Sequence, residues 1–430
     1  MSQLKIIPYL YDQSGRVLVT DNKVFRIIEK KEKIQSYRRL LSSENIIRLH
    51  EKGLIETTII EEKSSSNKLT LEHKYLPFIL HPVEYTNEMY WQAAVQFIEL
   101  NQECFKLGFV TYDAHPYNIT FYRNKPIFID FGSLIEAQSV SDEWFQEFWE
   151  KFAIPIWLSS FSKKTFRLSK ELRKEHQYGF GMSLMTSSYS KALLFRKFLG
   201  LAKFKERPNI LFQEILRWLM DHRPLPVSKQ YWSNYYKEEK FDFLSPRNKK
   251  ESFCLEIFQN ARYTKVIDLA SNKGYFSEMA EHFGAEVLSF DYEEEIVNTL
   301  LKKNKVTPAH IDFNLPTPAL GPGLFWGDVF SRLKGELVLA LGLIHHICVR
   351  QKTPVYLFCE TCLKFATKGI LLEFIFMEDK HVRTWNETKP PDYNIETISE
   401  FFSQKFTNRK ESELELRDGL KRQYLYFYKD

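Results

Sequence analysis

The sequence predicts two domains of different fold class, an α+β domain in the N-terminal half and an α/β domain in the C-terminal half. The chain has 430 residues, which is long for a single hydrophobic core. Strand-like and helix-like segments are mixed up to about residue 220, whereas they alternate regularly from about residue 263 onward. Residues 221–252 between these parts are polar and contain three prolines, which is typical of an interdomain connection.

Composition and charge indicate a folded protein without a membrane-spanning helix. Hydrophobic residues make up 44% of the chain, and the net charge of +5 is small for its length, so nucleic acid is a disfavoured partner that stays open. The longest apolar runs are far shorter than the ~18–20 residues that a spanning helix needs. Five cysteines without a disulfide-like pattern are typical of a reducing compartment. We therefore expect a cytoplasmic protein.

The N-terminal half begins with short strands and then becomes helical. Residues 17–28 predict two strands around an Asp-Asn turn, and residues 32–53 have a helical pattern that ends at Gly53. Two strand-like runs follow, then a helix at about 89–107 and a hairpin around Arg123-Asn124-Lys125. From Trp144 to about Met220 the pattern is mostly helical.

The most informative segment of the C-terminal half is KVIDLASNKGYFSEMAEHFGAEVLSFD. An apolar strand ends at Asp268, a helix begins near Tyr275, and a second strand ends at Asp291, 23 residues after Asp268. The turn between strand and helix is built from small residues: Ala270, Ser271, Asn272 and Gly274. In doubly wound sheets a turn of this kind lets the backbone approach a ligand, and an acid ending the second strand can hold ribose hydroxyls.

This segment resembles the class I methyltransferase family. Asp268-Leu-Ala-Ser-Asn-Lys-Gly274 is similar to the first motif of that family, with Ala270 where glycine is usual, and Asp291 is similar to its ribose-binding acid. The resemblance implies S-adenosylmethionine as cofactor. The first two glycines of the dinucleotide fingerprint G-x-G-x-x-G are absent, although another nucleotide-binding α/β domain stays open.

Later motifs extend the resemblance over residues 253–430. Asp312 is similar to the position that contacts the adenine amino group, and residues 337–346 resemble the fourth strand with the loop, including Leu341, that faces the methyl donor. ILLEF at 370–374 resembles the fifth strand, and strand-like residues near 412–416 and 422–430 resemble the antiparallel last pair. The implied fold is a Rossmann-like, seven-stranded methyltransferase sheet with an antiparallel last strand.

Two histidines are candidate bases for methyl transfer, because the protein must align the nucleophile and remove its proton. His345 and His346 lie on the loop that would face the methyl group, so either could deprotonate a hydroxyl. The alternative is a pair that only packs or hydrogen-bonds. Glu373 is a further candidate, unless it pairs with a neighbour. No N/D-P-P-Y/F motif follows the fourth strand, which disfavours methylation of exocyclic amines in DNA bases.

The second signal lies in residues 111–133, TYDAHPYNITFYRNKPIFIDFGS. Asp113 and Asn118 have the spacing D-x-x-x-x-N, and Asp130-Phe131-Gly132 follows the next hairpin. Phosphoryl transfer needs an acid near the incoming hydroxyl and oxygen ligands for magnesium, and this pattern supplies those groups in that order.

This pattern resembles the protein-kinase-like superfamily, especially small-molecule kinases of the aminoglycoside phosphotransferase type. The resemblance implies a kinase-like domain over residues 1–220, with a short N-lobe of about 1–80 and a helical C-lobe of about 81–220. It also implies ATP and Mg²⁺, with Asp113 as the catalytic acid, Asn118 and Asp130 on the metal, and Arg26 at the ATP phosphates. Arg26 stands where lysine is usual, and Thr111-Tyr112 replaces the usual residues before Asp113. An active kinase and a binding or scaffolding domain therefore both stay open.

Residues 162–207 hold twelve Lys/Arg and three Glu. This segment is either a solvated helical face or a contact for phosphate groups on a glycan, a lipid surface or RNA. Nearby, Trp232, Tyr235 and Tyr236 could cover the cofactor or belong to a core.

Together these motifs predict a methyltransferase, with oxygen as the favoured target, that carries an appended kinase-like domain. The combination resembles bifunctional kinase–methyltransferases of bacterial surface polysaccharide pathways. It implies a small-molecule or glycan acceptor, with an anionic one allowed, and peripheral contact with membrane or polysaccharide machinery. Two alternatives stay open: a bifunctional enzyme that phosphorylates and methylates the same acceptor, and a methyltransferase with a non-catalytic kinase-like scaffold for a partner or RNA.

Overall fold

The computed structural model describes residues 5–7, 15–20, 22–42, 44–161, 197–225 and 242–429. The chain divides into two compact units. The first unit comprises Met1–Leu76 and His81–Pro226, and the second comprises Pro77–Leu80 and Val227–Asp430. Residues 77–80, which the sequence placed at the end of the short N-lobe, therefore group with the second unit.

The first unit begins with a five-stranded antiparallel sheet in the order β1-β2-β3-β5-β4. Its strands are β1 (Lys5–Ile7), β2 (Gly15–Val19), β3 (Val24–Ile28), β4 (Thr57–Ile59) and β5 (Leu69–His73). Between β3 and β4 lie α1 (Lys31–Ser42) and α2 (Asn45–Glu51), so the single helix expected over 32–53 is two helices.

The rest of the first unit is mainly helical and packs around α3 (Asn87–Lys106). Thr86 begins this helix by accepting a hydrogen bond from the backbone N–H of Met89 at 3.1 Å. Four short strands pair as β6 (Phe109–Thr111) with β9 (Leu134–Glu136), and β7 (Ile119–Tyr122) with β8 (Lys125–Phe128). The later helices are α4 (Asp142–Phe148), a π-helical turn (Trp149–Ala153), α5 (Ile154–Phe161) and α6 (Pro208–Asp221).

Stacked aromatic rings form the centre of this helical part. The ring of Phe97 on α3 stacks on Trp144 at 5.7 Å and on Phe152 at 5.6 Å. Each such pair contributes about 0.5–1.5 kcal/mol beyond the burial of its area.

The second unit contains an eight-stranded sheet in the order β12-β11-β10-β13-β14-β17-β15, with β16 paired to β17. Its strands are β10 (Lys265–Leu269), β11 (Glu286–Asp291), β12 (Thr307–His310), β13 (Gly335–Ala340), β14 (Ala366–Ile375), β15 (Asn408–Glu411), β16 (Glu415–Arg417) and β17 (Leu420–Tyr428). Its helices are α7 (Lys249–Asn260), α8 (Tyr275–His282), α9 (Glu294–Lys303), α10 (Val329–Arg332), α11 (Val355–Phe365) and α12 (Ile395–Ser403).

The five strands β10 to β14 are parallel, and β17 runs antiparallel to β14. Asp268 lies opposite Ser289 on one neighbouring strand and Leu339 on the other, so these strands end at the same edge. The parallel strands with an antiparallel last strand agree with the methyltransferase-like fold that the resemblance implied.

The expectation of seven strands was wrong, because the strand expected beside β17 is interrupted. Residues 408–411 and 415–417 both pair with β17, and Ser412 lies between them. The backbone N–H of Tyr424 donates to the Ser412 hydroxyl at 3.1 Å. A side-chain oxygen thus takes a bond that a carbonyl would accept in a continuous ladder, and one strand becomes two.

The described helices include none that is long and apolar enough to cross a membrane. The five cysteines are free and buried. Cys359 and Cys362 lie on α11, and the described residues contain no group of three or more metal-binding side chains.

Gly274 joins β10 to α8 in a conformation that a larger residue would strain. Its φ is +81°, and a Cβ placed there would lie 2.5 Å from Cδ2 of Leu300 on α9. Gly284 has a φ of +91°, but a Cβ there would meet no atom within 4 Å. Both positions require a left-handed backbone, and only Gly274 also requires close approach.

We therefore expect Gly274→Ala to lower the free energy of unfolding of the full chain more than Gly284→Ala does. Both changes incur a left-handed backbone penalty of about 1–2 kcal/mol, and only the first adds a steric clash. Denaturant unfolding followed by circular dichroism measures the difference. Equal losses in the two variants would contradict the proposed close packing against Leu300.

Candidate functional site

The turn between β10 and α8 contains three left-handed residues within five positions. Ala270 has a φ of 59°, Asn272 of 49° and Gly274 of 81°. An alanine in this region is strained, which explains why glycine is usual where Ala270 stands. Strained residues of this kind cluster at ligand-binding sites, because a surrounding structure must hold them in place.

Asp268 ends the core of β10 and binds the first turn of α8. Its carboxylate accepts a hydrogen bond from the Ser277 hydroxyl at 2.5 Å. Burial is the largest cause that raises the pKa of Asp268 to about 7; the nearby Asp291 acts in the same direction, while the Ser277 bond and Lys250 oppose the shift. Asp268 therefore holds the helix against the strand, and its side chain is 2% exposed.

Asp291 joins the turn to the end of β11. One of its carboxylate oxygens accepts from the backbone N–H of Asn272 at 3.3 Å, and the other from that of Glu293 at 2.9 Å. Burial raises the pKa of Asp291 to about 7, against the effect of these two backbone bonds. Each carboxylate oxygen has two lone pairs, so Asp291 retains capacity to accept from a further donor.

Ser271 supplies an unsatisfied polar group beside this acid. Its backbone N–H donates to the carbonyl of Phe290 on β11 at 3.1 Å, while its hydroxyl is buried and has no hydrogen-bond partner among the described residues. A buried hydroxyl without a partner costs about 1–3 kcal/mol, so its presence here favours a bound ligand.

Asp312 and Leu341 lie after the two strands that flank this centre. Asp312 follows β12 and is half-buried, and its carboxylate accepts from the backbone N–H of Asn314 at 2.9 Å. Leu341 follows β13 and is 7% exposed. Because the parallel strands share one edge, the turn, Asp291, Asp312 and Leu341 all lie at the carboxyl end of the sheet.

His345 and His346 begin a π-helical turn (His345–Arg350) after β13. Their ring centroids are 4.1 Å apart. Burial lowers the pKa of His346 to about 4, with help from Arg350, and lowers the pKa of His345 well below its usual value. Both rings are therefore neutral near pH 7. Trp385, which no sequence motif marks, contacts both of them.

Glu373 is part of a buried ionic network and is therefore not available as a base. Its two oxygens accept from Lys250 at 2.6 Å and from Arg422 at 2.9 Å, and its side chain is fully buried. Arg422 also binds Asp379 at 3.0 Å. These four residues, the Glu373 network, carry two positive and two negative charges. Lys250 and Arg422 keep the pKa of Glu373 low despite its burial.

In the first unit the structure brings Asp113 and Asn118 together. The Asn118 amide donates to the Asp113 carboxylate at 2.8 Å. The pKa of Asp113 is raised to about 7 by burial and then by the charges of Asp130 and Glu147. Asp113 can thus hold a proton near neutral pH, as a general acid or base requires.

The expected metal ligand Asp130 is paired with Arg26. The Arg26 guanidinium on β3 donates to the Asp130 carboxylate at 2.9 Å, and the Arg26 side chain is 6% exposed. The next residue, Phe131, is fully buried and packs on the Tyr37 ring at 5.0 Å. A buried guanidinium thus occupies one side of the carboxylate that the kinase resemblance assigns to magnesium.

Two expectations fall on residues that the structure does not describe. Residues 162–196 hold most of the basic segment, and residues 231–240 include Trp232, Tyr235 and Tyr236. Their interpretation stays as the sequence left it.

No family model matches the chain. The chain is similar to the nodulation protein NoeA of Rhizobium meliloti (strain 1021), with 25% identity over 443 aligned positions. The aligned region covers 92% of this chain and 90% of NoeA.

Several solved structures are similar to part of the chain. The N-methyltransferase NodS from Bradyrhizobium japonicum WM9, in complex with S-adenosyl-L-homocysteine, has a TM-score of 0.31 and 9% identity, covering 42% of this chain and 85% of NodS. Magnesium protoporphyrin IX methyltransferase (ChlM) from Synechocystis PCC 6803 with bound SAM has a TM-score of 0.30 and 14% identity, covering 46% and 89%. Monomeric WbdD has a TM-score of 0.31 and 17% identity, covering 42% and 41%.

We expect Glu373→Gln to destabilise the second unit by about 3–5 kcal/mol, because Lys250 and Arg422 would lose a buried counter-charge. Denaturant unfolding of the full chain measures the loss. Glu411→Gln is the control, since Glu411 pairs with Arg409 at the surface, where such a pair contributes about 0–1 kcal/mol. A loss for Glu373→Gln as small as that of the control would contradict a coupled network.

Proposed function

We propose that the second unit is an S-adenosylmethionine-dependent methyltransferase. The observation that carries this proposal is the strand–turn–helix with three left-handed residues, held against a buried acid at the end of the adjacent strand. The parallel sheet with its antiparallel last strand gives this arrangement the setting of the class I family. The turn lacks the closely spaced glycines that a pyrophosphate needs, so a cofactor without phosphate fits it better.

The residues at this edge fit the proposed cofactor. Asp291 would accept hydrogen bonds from the two ribose hydroxyls, and the unsatisfied Ser271 hydroxyl offers a further polar contact. Gly274 lets α8 begin close to the ligand. Asp312 would bind the adenine amino group, and Leu341 would line the apolar side of the site. When bound, the cofactor supplies an activated methyl group to the acceptor.

The proposed acceptor is a hydroxyl group on a small molecule or a glycan. Its support is the pair of neutral histidines after β13, since a neutral imidazole can take a proton from a hydroxyl. Glu373 does not compete for this role, because two cations hold it. The name of the nodulation protein NoeA gives no acceptor. The assignment of the acceptor therefore rests on the chemistry of the site.

The cofactor assignment predicts that Asp291→Asn weakens S-adenosylhomocysteine binding to the full chain by about 2–4 kcal/mol, through the loss of two charge-assisted hydrogen bonds. Isothermal titration calorimetry at pH 8 measures the affinity. The control is Glu256→Gln, which removes an exposed carboxylate that pairs with Lys410. Equal affinities in wild type and Asp291→Asn would overturn the assignment.

The same titration, repeated at several pH values, tests the protonation of Asp291. The ligand requires the Asp291 carboxylate, whose pKa is about 7 in the free protein. Below pH 7 protonation competes with binding, so wild-type affinity should fall as the pH is lowered, by at most about tenfold per unit. This slope should be reduced in Asp291→Asn and retained in Glu256→Gln.

For the first unit we infer a kinase-like domain that serves binding or scaffolding rather than phosphoryl transfer. The five-stranded antiparallel sheet with a helix after its third strand, and the paired Asp113 and Asn118, support the kinase-like interpretation. The contact between Arg26 and Asp130 favours the non-catalytic one. A guanidinium pairs with a carboxylate in a fixed geometry and satisfies the charge that would otherwise attract a divalent cation.

We accordingly expect no magnesium-dependent ATP binding, either in the wild type or in Asp130→Asn, because Arg26 already neutralises Asp130. Calorimetry with ATP in the presence of MgCl₂ or EDTA measures it. Magnesium-dependent binding in the wild type that disappears in Asp130→Asn would instead support the alternative of a bifunctional kinase–methyltransferase.

A further inference from the structure

The π-helical turn after β13 presents two histidines in sequence to the carboxyl edge of the sheet. The backbone N–H of Gln351 donates to the carbonyl of His346 at 2.9 Å, which closes a turn five residues wide. Such turns are rare and are frequent at functional sites, because the wider turn redirects side chains. Here the two imidazoles that start the turn have different surroundings.

His345 has an unsatisfied nitrogen in a buried position. His345 is 5% exposed, and its Nδ1 has no hydrogen-bond partner among the described residues. A buried ring nitrogen without a partner is costly, so its retention indicates a partner that arrives with a ligand. His346 is only half-buried and lies closer to solvent.

Trp385 fixes the plane of the His345 ring. The two rings are parallel within 6°, with centroids 5.4 Å apart, and the His346 ring is tilted by 44° to the same indole. The Arg350 guanidinium lies 5.7 Å from the centroid of the Trp385 ring. Arg350 in turn lies 3.6 Å from the carboxylate of Glu387, so a paired guanidinium packs against the indole that contacts both histidines.

We propose that Trp385 is a positioning residue that orients His345 so that its Nδ1 takes the proton of the acceptor hydroxyl. This inference rests on the proposed methyltransferase function. With the ring's own proton on Nε2, the Nδ1 lone pair is left to take the proton of the acceptor hydroxyl. Trp385 contacts no reacting atom, and His346 is not the base.

The proton and electron changes balance within the site. The hydroxyl proton passes to His345 Nδ1, the oxygen's electron pair forms the new C–O bond, and the C–S bond of the methyl donor breaks with its pair left on sulfur. A positive charge thus moves from the sulfonium to the imidazole, and no net charge is created in a buried region. This matters because separated charges are expensive away from water.

The surroundings of His345 keep it neutral before the reaction. Burial lowers its pKa, and four basic groups packed around it act in the same direction: His346, Arg422, Lys250 and His381. Glu373 and Asp379 neutralise Arg422 and Lys250 within the Glu373 network. The ring can therefore accept a proton from the bound acceptor without being protonated first by solvent.

The test uses ¹⁵N-histidine-labelled full-length protein, with His345→Asn to assign the His345 signals among the eleven histidines. In the wild type we expect an unprotonated Nδ1 and a protonated Nε2, unchanged between pH 8 and pH 5.5. Trp385→Ala should release the ring, so that His345 begins to titrate towards about 6.5, the usual value for a histidine. Trp385→Phe should retain the wild-type spectrum, because a flat ring remains.

Three results would overturn the proposal: a protonated Nδ1 in the wild type, an unchanged His345 signal in Trp385→Ala, or a Trp385→Phe spectrum like that of Trp385→Ala. Trp385→Leu, which keeps bulk without a flat ring, replaces the alanine variant if that chain unfolds. S-adenosylhomocysteine affinity should be within about twofold of wild type in Trp385→Phe and His346→Asn. A wild type that binds no S-adenosylhomocysteine would instead remove the methyltransferase proposal itself, independently of the spectrum.

Discussion

The geometry of the second unit depends on a buried ionic network whose four members come from four separate places in the chain. Glu373 on β14 binds Lys250 of α7 and Arg422 of β17, and Arg422 also binds Asp379. Two charges of each sign cancel around two fully buried carboxylates, so no member can be removed alone without leaving an uncompensated charge. The network therefore fixes a helix, two strands and a loop relative to one another. Asp379 extends this constraint, because it also accepts from the backbone N–H groups of His381 and Lys421 at 3.0 Å.

The same network connects structure to the proposed chemistry. The segment that begins at Asp379 leads directly into a short 3₁₀ helix, Arg383–Trp385. The indole of Trp385, which stacks on His345, is thus anchored by a buried aspartate. On the other side, the Lys250 ammonium lowers the pKa of Asp268, although burial still leaves that pKa at about 7. Asp268, which borders the turn between β10 and α8, and the histidine pair thus share an electrostatic environment. Substituting a member of the network should therefore alter the surroundings of both.

The turn between β10 and α8 could be predicted from the sequence, because apolar runs bracket it and an acid lies at the end of each strand. Asp268, Gly274 and Asp291 lie where that pattern placed them. The partners of Glu373 could not be found in this way: Lys250 falls in a stretch that had the composition of a connection, and Arg422 is 49 residues from Glu373. Likewise, Arg26 and Asp130 are 104 residues apart, so the pairing on which the proposed non-catalytic role rests has no local signal. Trp385 stands in a polar stretch of sequence without periodicity. Long-range pairing of charges and rings is set by tertiary packing, which neither composition nor spacing records.

Residues 77–80 give the chain an unusual order of assembly. They belong to the second unit, and the carbonyl of Ile79 accepts a hydrogen bond from the Arg332 guanidinium, 253 residues later. At a synthesis rate of about 5–20 residues per second, this partner leaves the ribosome roughly 13–50 s after Ile79. Phe78 and Leu80, which are buried in the folded protein, lack the rest of the second unit during that interval. During translation they are therefore exposed apolar side chains of the type that chaperones bind, and neither unit can be separated from the other by a single cut in the gene.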